Sequence, residues 1–149
     1  MTPRSERQRA LRDAETKAEA LFAEVEAREL IQPGKTEKQL NTEMYELALE
    51  MFGIRKYWHK RIVRAGENTL SPYRENPPNL LLQEDEILFF DFGPVFEEWE
   101  ADFGRTYVLG SDPEKLRIRD SIEQAWSNGA EYFRTHPKLS GADLFRYVS

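Results

Sequence analysis

An α+β fold, an antiparallel sheet flanked by helices, is predicted for this sequence by three observations. Amphipathic patterns with three- and four-residue steps open the chain, short β-type runs fill its middle, and helical periodicity returns at its end. The resulting order α-α-β-β-β-β-α-α groups the strands together, which is the signature of α+β rather than of alternating βαβ units.

The elements follow in order. Residues Ser5 to Gln32 read as one helix, with Leu11, Ala14, Ala18, Leu21, Phe22 and Val25 on one side and charges between them. Pro33-Gly34 is expected to stop it. Thr36-Glu37-Lys38-Gln39 is a capping box that opens a second helix, whose face is Leu40, Met44, Leu47, Ala48 and Met51; Gly53 suits its C-terminal cap. A strand is expected around Arg61 to Ala65. A loop rich in turn residues follows (Gly66-Glu67-Asn68, Ser71-Pro72, Pro77-Pro78-Asn79). Strands are then expected at Glu86–Phe92, near Phe96–Trp99 and at Phe103–Leu109, as a hairpin-like or meander unit. Asp112-Pro113 starts a third helix with proline in the first turn and Leu116, Ile122, Trp126 and Phe133 on its apolar side. Ser140-Gly141-Ala142-Asp143 starts a fourth helix that runs to the last residue.

Composition excludes several classes of function. At 149 residues the chain is one domain or part of a larger one, and 40% hydrophobic with 12% aromatic residues suffices for a core. A net charge of -6, with basic and acidic residues interspersed, argues against nucleic-acid binding through bulk charge. There is no cysteine, hence no disulfide and no thiolate metal site, which fits a reducing cytoplasm. No apolar run reaches the length of a membrane span, and the charged N-terminal stretch has no signal-peptide core. The expected location is cytoplasmic, with neither membrane nor nucleic acid as a partner.

Chemistry is concentrated in the stretch FFDFGPVFEEWEADFGRTYVLG, residues 89–110. Asp91 interrupts an apolar run and Asp102 opens the next, eleven residues later. On neighbouring antiparallel strands such a pair can lie side by side. Two carboxylates that close repel each other, and a divalent cation between them removes the conflict. Glycine follows each aspartate by two residues, at Gly93 and Gly104, where a missing side chain relieves crowding or permits a bulge. The plainer alternative is a solvated pair, with Asp102 bonded to Arg105. The Asp91-Phe92-Gly93 triplet also occurs in protein kinases, but no glycine-rich loop or His-Arg-Asp segment accompanies it here.

In its wider context the sequence resembles the M24 metallopeptidases, the relatives of methionine aminopeptidase, Xaa-Pro aminopeptidase and prolidase. The resemblance rests on Pro33-Gly34-Lys35-Thr36-Glu37 after a long helix, the Gly66-Glu67-Asn68 turn, Asp91-Phe92-Gly93, and Ala101-Asp102-Phe103-Gly104-Arg105-Thr106 closed by Gly110. It spans nearly the whole chain. It implies part of a pita-bread fold, with residues 1–149 the N-terminal part of a single catalytic domain and the C-terminal half outside this sequence. Asp91 is implied as a ligand of one metal ion and Asp102 as a bridge between two; Arg105 and Thr106 are implied as groups that orient these ligands. The implied cofactors are two divalent ions in the full-length protein, drawn from Mn, Co, Fe or Zn. The implied activity is that of an aminopeptidase or dipeptidase of the Xaa-Pro type, acting on the N-terminal bond of peptides. A homodimer is compatible with the family.

The match stops at three further ligands, a histidine and two glutamates, which in the family lie in the C-terminal half. His136 beside Pro137 is not assigned that role, and Glu114, Glu123 and Glu131 read as solvated charges on a helix. Family members often carry a histidine in the loop before the first aspartate. Here that region reads Ser71-Pro72-Tyr73-Arg74, so Tyr73 stands near the expected place, with His59 as another candidate; a partly buried structural histidine is the preferred reading of His59. The chain alone is expected to be incomplete and inactive. The alternatives are a non-catalytic pita-bread module that binds peptides or proteins, and a creatinase-like amidinohydrolase.

Overall fold

The structure, a computed structural model, describes residues 3–149. The chain divides into two units, Met1–Gly110 and Ser111–Ser149.

In the first unit, α1 (Arg4–Ala27) buries Ala14, Ala18, Leu21, Phe22 and Val25, the predicted apolar stripe. It ends well before Gln32. Glu29 takes a left-handed φ of 49°, and the Leu30 amide turns back to the Val25 carbonyl at 3.1 Å. Arg28 makes a two-pronged ion pair with Glu50, 2.9 Å on each arm, and Leu30 and Ile31 are drawn onto the core. The second helix, α2 (Glu37–Phe52), has the expected reciprocal capping box between Thr36 and Gln39, and Gly53 closes it at φ 68°.

Strands β1 (Ile62–Ala65), β2 (Glu86–Phe92) and β5 (Phe103–Leu109) form an antiparallel sheet in the order β1-β2-β5. The run expected as one strand near Phe96–Trp99 is instead a tight hairpin of β3 (Val95–Phe96) and β4 (Trp99–Glu100), because Glu97 adopts a left-handed φ of 58° between them. Along β2 the side chains alternate. Leu88, Phe90 and Phe92 are buried, and Phe22 of α1 meets the last two edge-on at 6.1 and 6.5 Å. Ile87, Phe89 and Asp91 therefore point to the other face of the sheet.

The connection from β1 to β2 is held by two buried charges. Glu37 accepts from the Ala65 amide at 2.7 Å, from Asn68 Nδ2 at 3.0 Å and from the Leu80 amide at 3.1 Å. Arg64, 5% exposed, donates to the carbonyls of Ser71, Pro72 and Glu75. A short 3-10 turn, Gly66–Leu70, lies between them.

The second unit is a helical pair. The third helix, α3 (Pro113–Thr135), is capped by Asp112, which accepts from the Glu114 and Lys115 amides at 2.9 and 3.0 Å. The fourth, α4 (Gly141–Val148), starts on a Ser140–Asp143 capping box. Tyr132 and Tyr147 stack at 3.9 Å, and Gly129 makes room for Val148. The predicted apolar side of α3 is largely open: Ile122, Trp126 and Phe133 are 48%, 71% and 59% exposed.

Candidate metal centre

The register of the sheet brings the two aspartates together. Asp91 of β2 stands opposite Gly104, and Phe92 stands opposite Phe103. Asp102, one residue before β5, continues the alternation onto the face that carries Asp91. The small β3–β4 hairpin takes up the intervening residues, so the eleven-residue separation becomes a near-neighbour relation across the pair.

A third group joins them. His59, in the segment before β1, directs Nε2 at Asp91 Oδ1, 3.5 Å away, and at Asp102 Oδ1, 3.9 Å away. One donor atom from each of the three lies within 4.8 Å of the others. The histidine is held there by specific contacts. The Trp58 amide donates to the Gly93 carbonyl at 3.0 Å, and Trp58 Nε1 donates to the Ala101 carbonyl at 2.9 Å. His59 Nδ1 lies 2.7 Å from the Lys60 carbonyl. A carbonyl only accepts, so Nδ1 carries the proton of that bond and Nε2 is the atom left to face the carboxylates.

Gly93 is what lets this segment lie on the sheet. A Cβ there would come within 2.4 Å of Trp58 Nε1 and 2.6 Å of His59 Cδ2. The two matching glycines thus act differently: Gly93 admits the Trp58-His59 pair, while a Cβ on Gly104 would meet the Phe90 carbonyl at 3.3 Å.

Electrostatics follow from the placement. The His59 side chain is 9% exposed, that of Asp91 38% and that of Asp102 70%. Partial burial pushes the Asp91 carboxyl above its ordinary pKa; the charge of Asp102 adds to this, while His59 and Arg64 oppose it. Two carboxylate oxygens and an imidazole nitrogen suit a divalent transition metal better than an alkaline-earth ion, which prefers oxygen alone.

The other expected residues fall in different places. Thr106, opposite Phe89, shares the face of Asp91. Arg105, opposite Phe90, is on the reverse face; its guanidinium lies over Phe103 at 4.1 Å and Phe22 at 5.8 Å and donates to the Gly104 carbonyl. Arg105 and Asp102 are an odd number of residues apart, so strand alternation alone separates them. Tyr73 is half exposed, with its ring 6.2 Å from that of His59 and beneath the Lys60 ammonium. His136, in the second unit, lies against Tyr132 and its carbonyl. Glu114 and Glu131 pair with Arg117 and Arg134 on the surface of α3. His59, expected as a partly buried structural histidine, is largely buried and also faces the two aspartates. Its signal was the glycine two residues after Asp91, but the side chain that needs the space is remote in sequence.

An antiparallel sheet backed by two helices, with a carboxylate pair and an imidazole gathered on it, is an α+β arrangement of the pita-bread type that carries a candidate metal centre. Residues 9–149 match the profile of metallopeptidase family M24, and the chain belongs to that family. It is 29% identical over 128 residues to an Xaa-Pro dipeptidase of Lactobacillus delbrueckii subsp. lactis, an alignment covering 83% of this chain and 34% of the relative. A putative Xaa-Pro aminopeptidase of Mycoplasma pneumoniae is 24% identical over 123 residues, covering 80% and 34%. Among solved structures, the X-Pro aminopeptidase of Thermotoga maritima MSB8 superposes with a TM-score of 0.71 at 19% identity, over 87% of this chain and 36% of that one. The Xaa-Pro dipeptidase of Bacillus anthracis gives 0.71 at 22% identity, over 87% and 35%. The chain therefore spans about a third of the length of these relatives. Among the described residues no helix is long and apolar enough to cross a membrane.

Proposed function

We propose that these residues are the N-terminal part of an M24-type catalytic domain, and that the full-length protein is a divalent-metal-dependent peptidase removing an N-terminal residue from peptides, with Xaa-Pro peptides as its substrates. The observation that supports this most is the convergence of Asp91 and Asp102 from adjoining strands onto one face. Both carboxylates are acceptor-only when ionised, so together they hold cations and repel anions. When bound, divalent ions supply Lewis-acid polarisation and a nucleophile at neutral pH. Mn, Co, Fe and Zn all fit a donor set of carboxylate and imidazole.

The chain's own residues have distinct parts in this reading. Asp91 lies near the end of the central strand, paired with Ile62 on one side and Gly104 on the other, so its backbone is held from both sides. Asp102, more exposed, is the member of the pair open to solvent and so accessible to a substrate. Thr106 shares the face of Asp91, which supports assigning it the role of orienting the carboxylates. Tyr73, half exposed beside His59, presents a phenol that can donate a hydrogen bond to a bound peptide. The cysteine-free sequence supports a cytoplasmic setting.

The test is Asp102→Ala in the full-length protein. Metal-dependent hydrolysis of an Xaa-Pro peptide is expected to fall by a factor of about 10³ or more, as for loss of an essential group. An unchanged rate removes Asp102 from the metal centre. The 149-residue chain alone is expected to show little or no turnover.

A further inference from the structure

Resting on that reading, we propose that His59 is a metal ligand through Nε2, completing with Asp91 and Asp102 a three-donor site contained entirely in this chain.

Three independent features of the geometry support this. The first is spacing. Metal bonds of about 2.0–2.2 Å place two tetrahedral donors about 3.3–3.6 Å apart. Nε2 lies 3.5 Å from Asp91 Oδ1 and 3.9 Å from Asp102 Oδ1. The first distance is that of two ligands on one ion; the second, and the aspartate pair where it exceeds that spacing within the 4.8 Å that encloses all three donors, close by movement of the exposed Asp102 side chain. Both Nε2 distances exceed the 2.7–3.2 Å of an N–H···O hydrogen bond, so Nε2 faces the two carboxylates without being bonded to either.

The second feature is the tautomer. Metal-binding imidazoles usually donate their other ring N–H to a carbonyl or carboxylate, which aims the ligating nitrogen. His59 does this through Nδ1 and the Lys60 carbonyl, so Nε2 carries the free lone pair in the neutral ring.

The third is pre-organisation. Trp58 is bonded to both segments that bear the aspartates' neighbours, Gly93 and Ala101, and Gly93 has no side chain where the His59 ring passes. The histidine is thus locked to the β2 and β5 segments rather than to its own loop alone. An imidazole donor shifts the preference of the site from magnesium and calcium toward zinc, cobalt and nickel.

The experiment is Zn²⁺ and Mg²⁺ titration of the 149-residue chain by calorimetry, with long-range ¹H–¹⁵N spectra of its imidazoles. The sequence has two histidines, and His136→Gln leaves the His59 signals alone in the spectrum. Zn²⁺ is expected to shift His59 Nε2 and leave Nδ1 protonated. His59→Ala is expected to weaken Zn²⁺ binding by about 10–100-fold, the range over which even supporting contacts act, with Mg²⁺ binding little changed. Gly93→Ala keeps all three donors and is expected to weaken Zn²⁺ similarly by displacing the ring; if it does not fold, His59→Ala carries the test. Unmoved His59 signals, or Zn²⁺ affinity within twofold in His59→Ala while Asp102→Asn still loses it, overturns the histidine ligand and leaves the aspartate pair standing. Absence of Zn²⁺ binding to the wild-type chain at millimolar concentration also overturns the three-donor site; the peptidase reading is then judged separately, by Asp102→Ala in the full-length protein.

Discussion

The two units place their large apolar residues in opposite ways. In Met1–Gly110, Phe90 and Phe92 are almost completely buried beneath α1 and α2, and a single core runs through both helices and the sheet. In Ser111–Ser149, Trp126 and Phe133 stand open to solvent, and the helices meet through contacts that include a tyrosine stack and a glycine. Stability therefore resides chiefly in the buried core of the first unit. The first unit is fixed by burial and can hold side chains at stated distances, which a metal centre requires. The second rests on local caps, which stabilise helices but bury little. Trp58 and Trp99 lie in the first unit and Trp126 in the second, so single-tryptophan variants can follow each separately.

The largest expected effect is at the centre of the first unit. Phe92→Ala removes a ring packed against Phe22 and Tyr57 and is expected to cost about 3–5 kcal/mol in urea unfolding. A cost under about 1 kcal/mol would mean that the sheet and helices do not share one core. Next comes Glu37→Ala, which strands the amides of Ala65 and Leu80 and the Asn68 side chain. About 2–4 kcal/mol is expected, with water partly replacing the lost partners. Hydrogen exchange should accelerate at Ala65 and Leu80 first; unaltered protection there would break the claim that Glu37 anchors this loop.

Much of this arrangement was legible in the sequence, and the limits have physical causes. Features set by neighbours in sequence were read directly: the Thr36–Gln39 box, the Gly53 cap, Pro113 at the start of α3 and the bounds of Glu86–Phe92. Features set by distant partners were not. The exception among local features is backbone reversal without glycine: α1 ends at a left-handed Glu29, and the β3–β4 hairpin turns on a left-handed Glu97. The pairing of Asp91 with Asp102 could be anticipated because a hairpin relates them locally. The inclusion of His59 could not, since it depends on a bond from Trp58 to Ala101, 43 residues away. The apolar periodicity of α3 was visible, but periodicity reports only that a helix has such a face, not what covers it.

A smaller effect tests the electrostatics of the first unit. The Asp91 carboxyl holds its proton more tightly in the folded chain than in the unfolded one. Its contribution to metal-free stability is therefore fully present below its ordinary pKa and is lost as pH rises through the raised one. Asp91→Asn cannot titrate. The variant should gain stability relative to wild type as pH rises through this window, in paired denaturation curves without metal. A flat difference, or one of the reverse slope, would show that solvent rather than partial burial governs this carboxylate.

The smallest effect is expected in the second unit, and it sharpens the contrast most. Trp126 is the largest exposed side chain on α3, at 71% of its full exposure. Truncation of a side chain that is already solvated removes little transfer free energy, and exposed substitutions stay within about 0.5 kcal/mol. Trp126→Ser should therefore shift the thermal midpoint of the chain by about 2 °C or less. The same chemical change, an aromatic ring removed, thus costs several kcal/mol at Phe92 and almost nothing at Trp126. A large loss at Trp126 would mean that its ring is covered in solution, and that the second unit is held by burial after all.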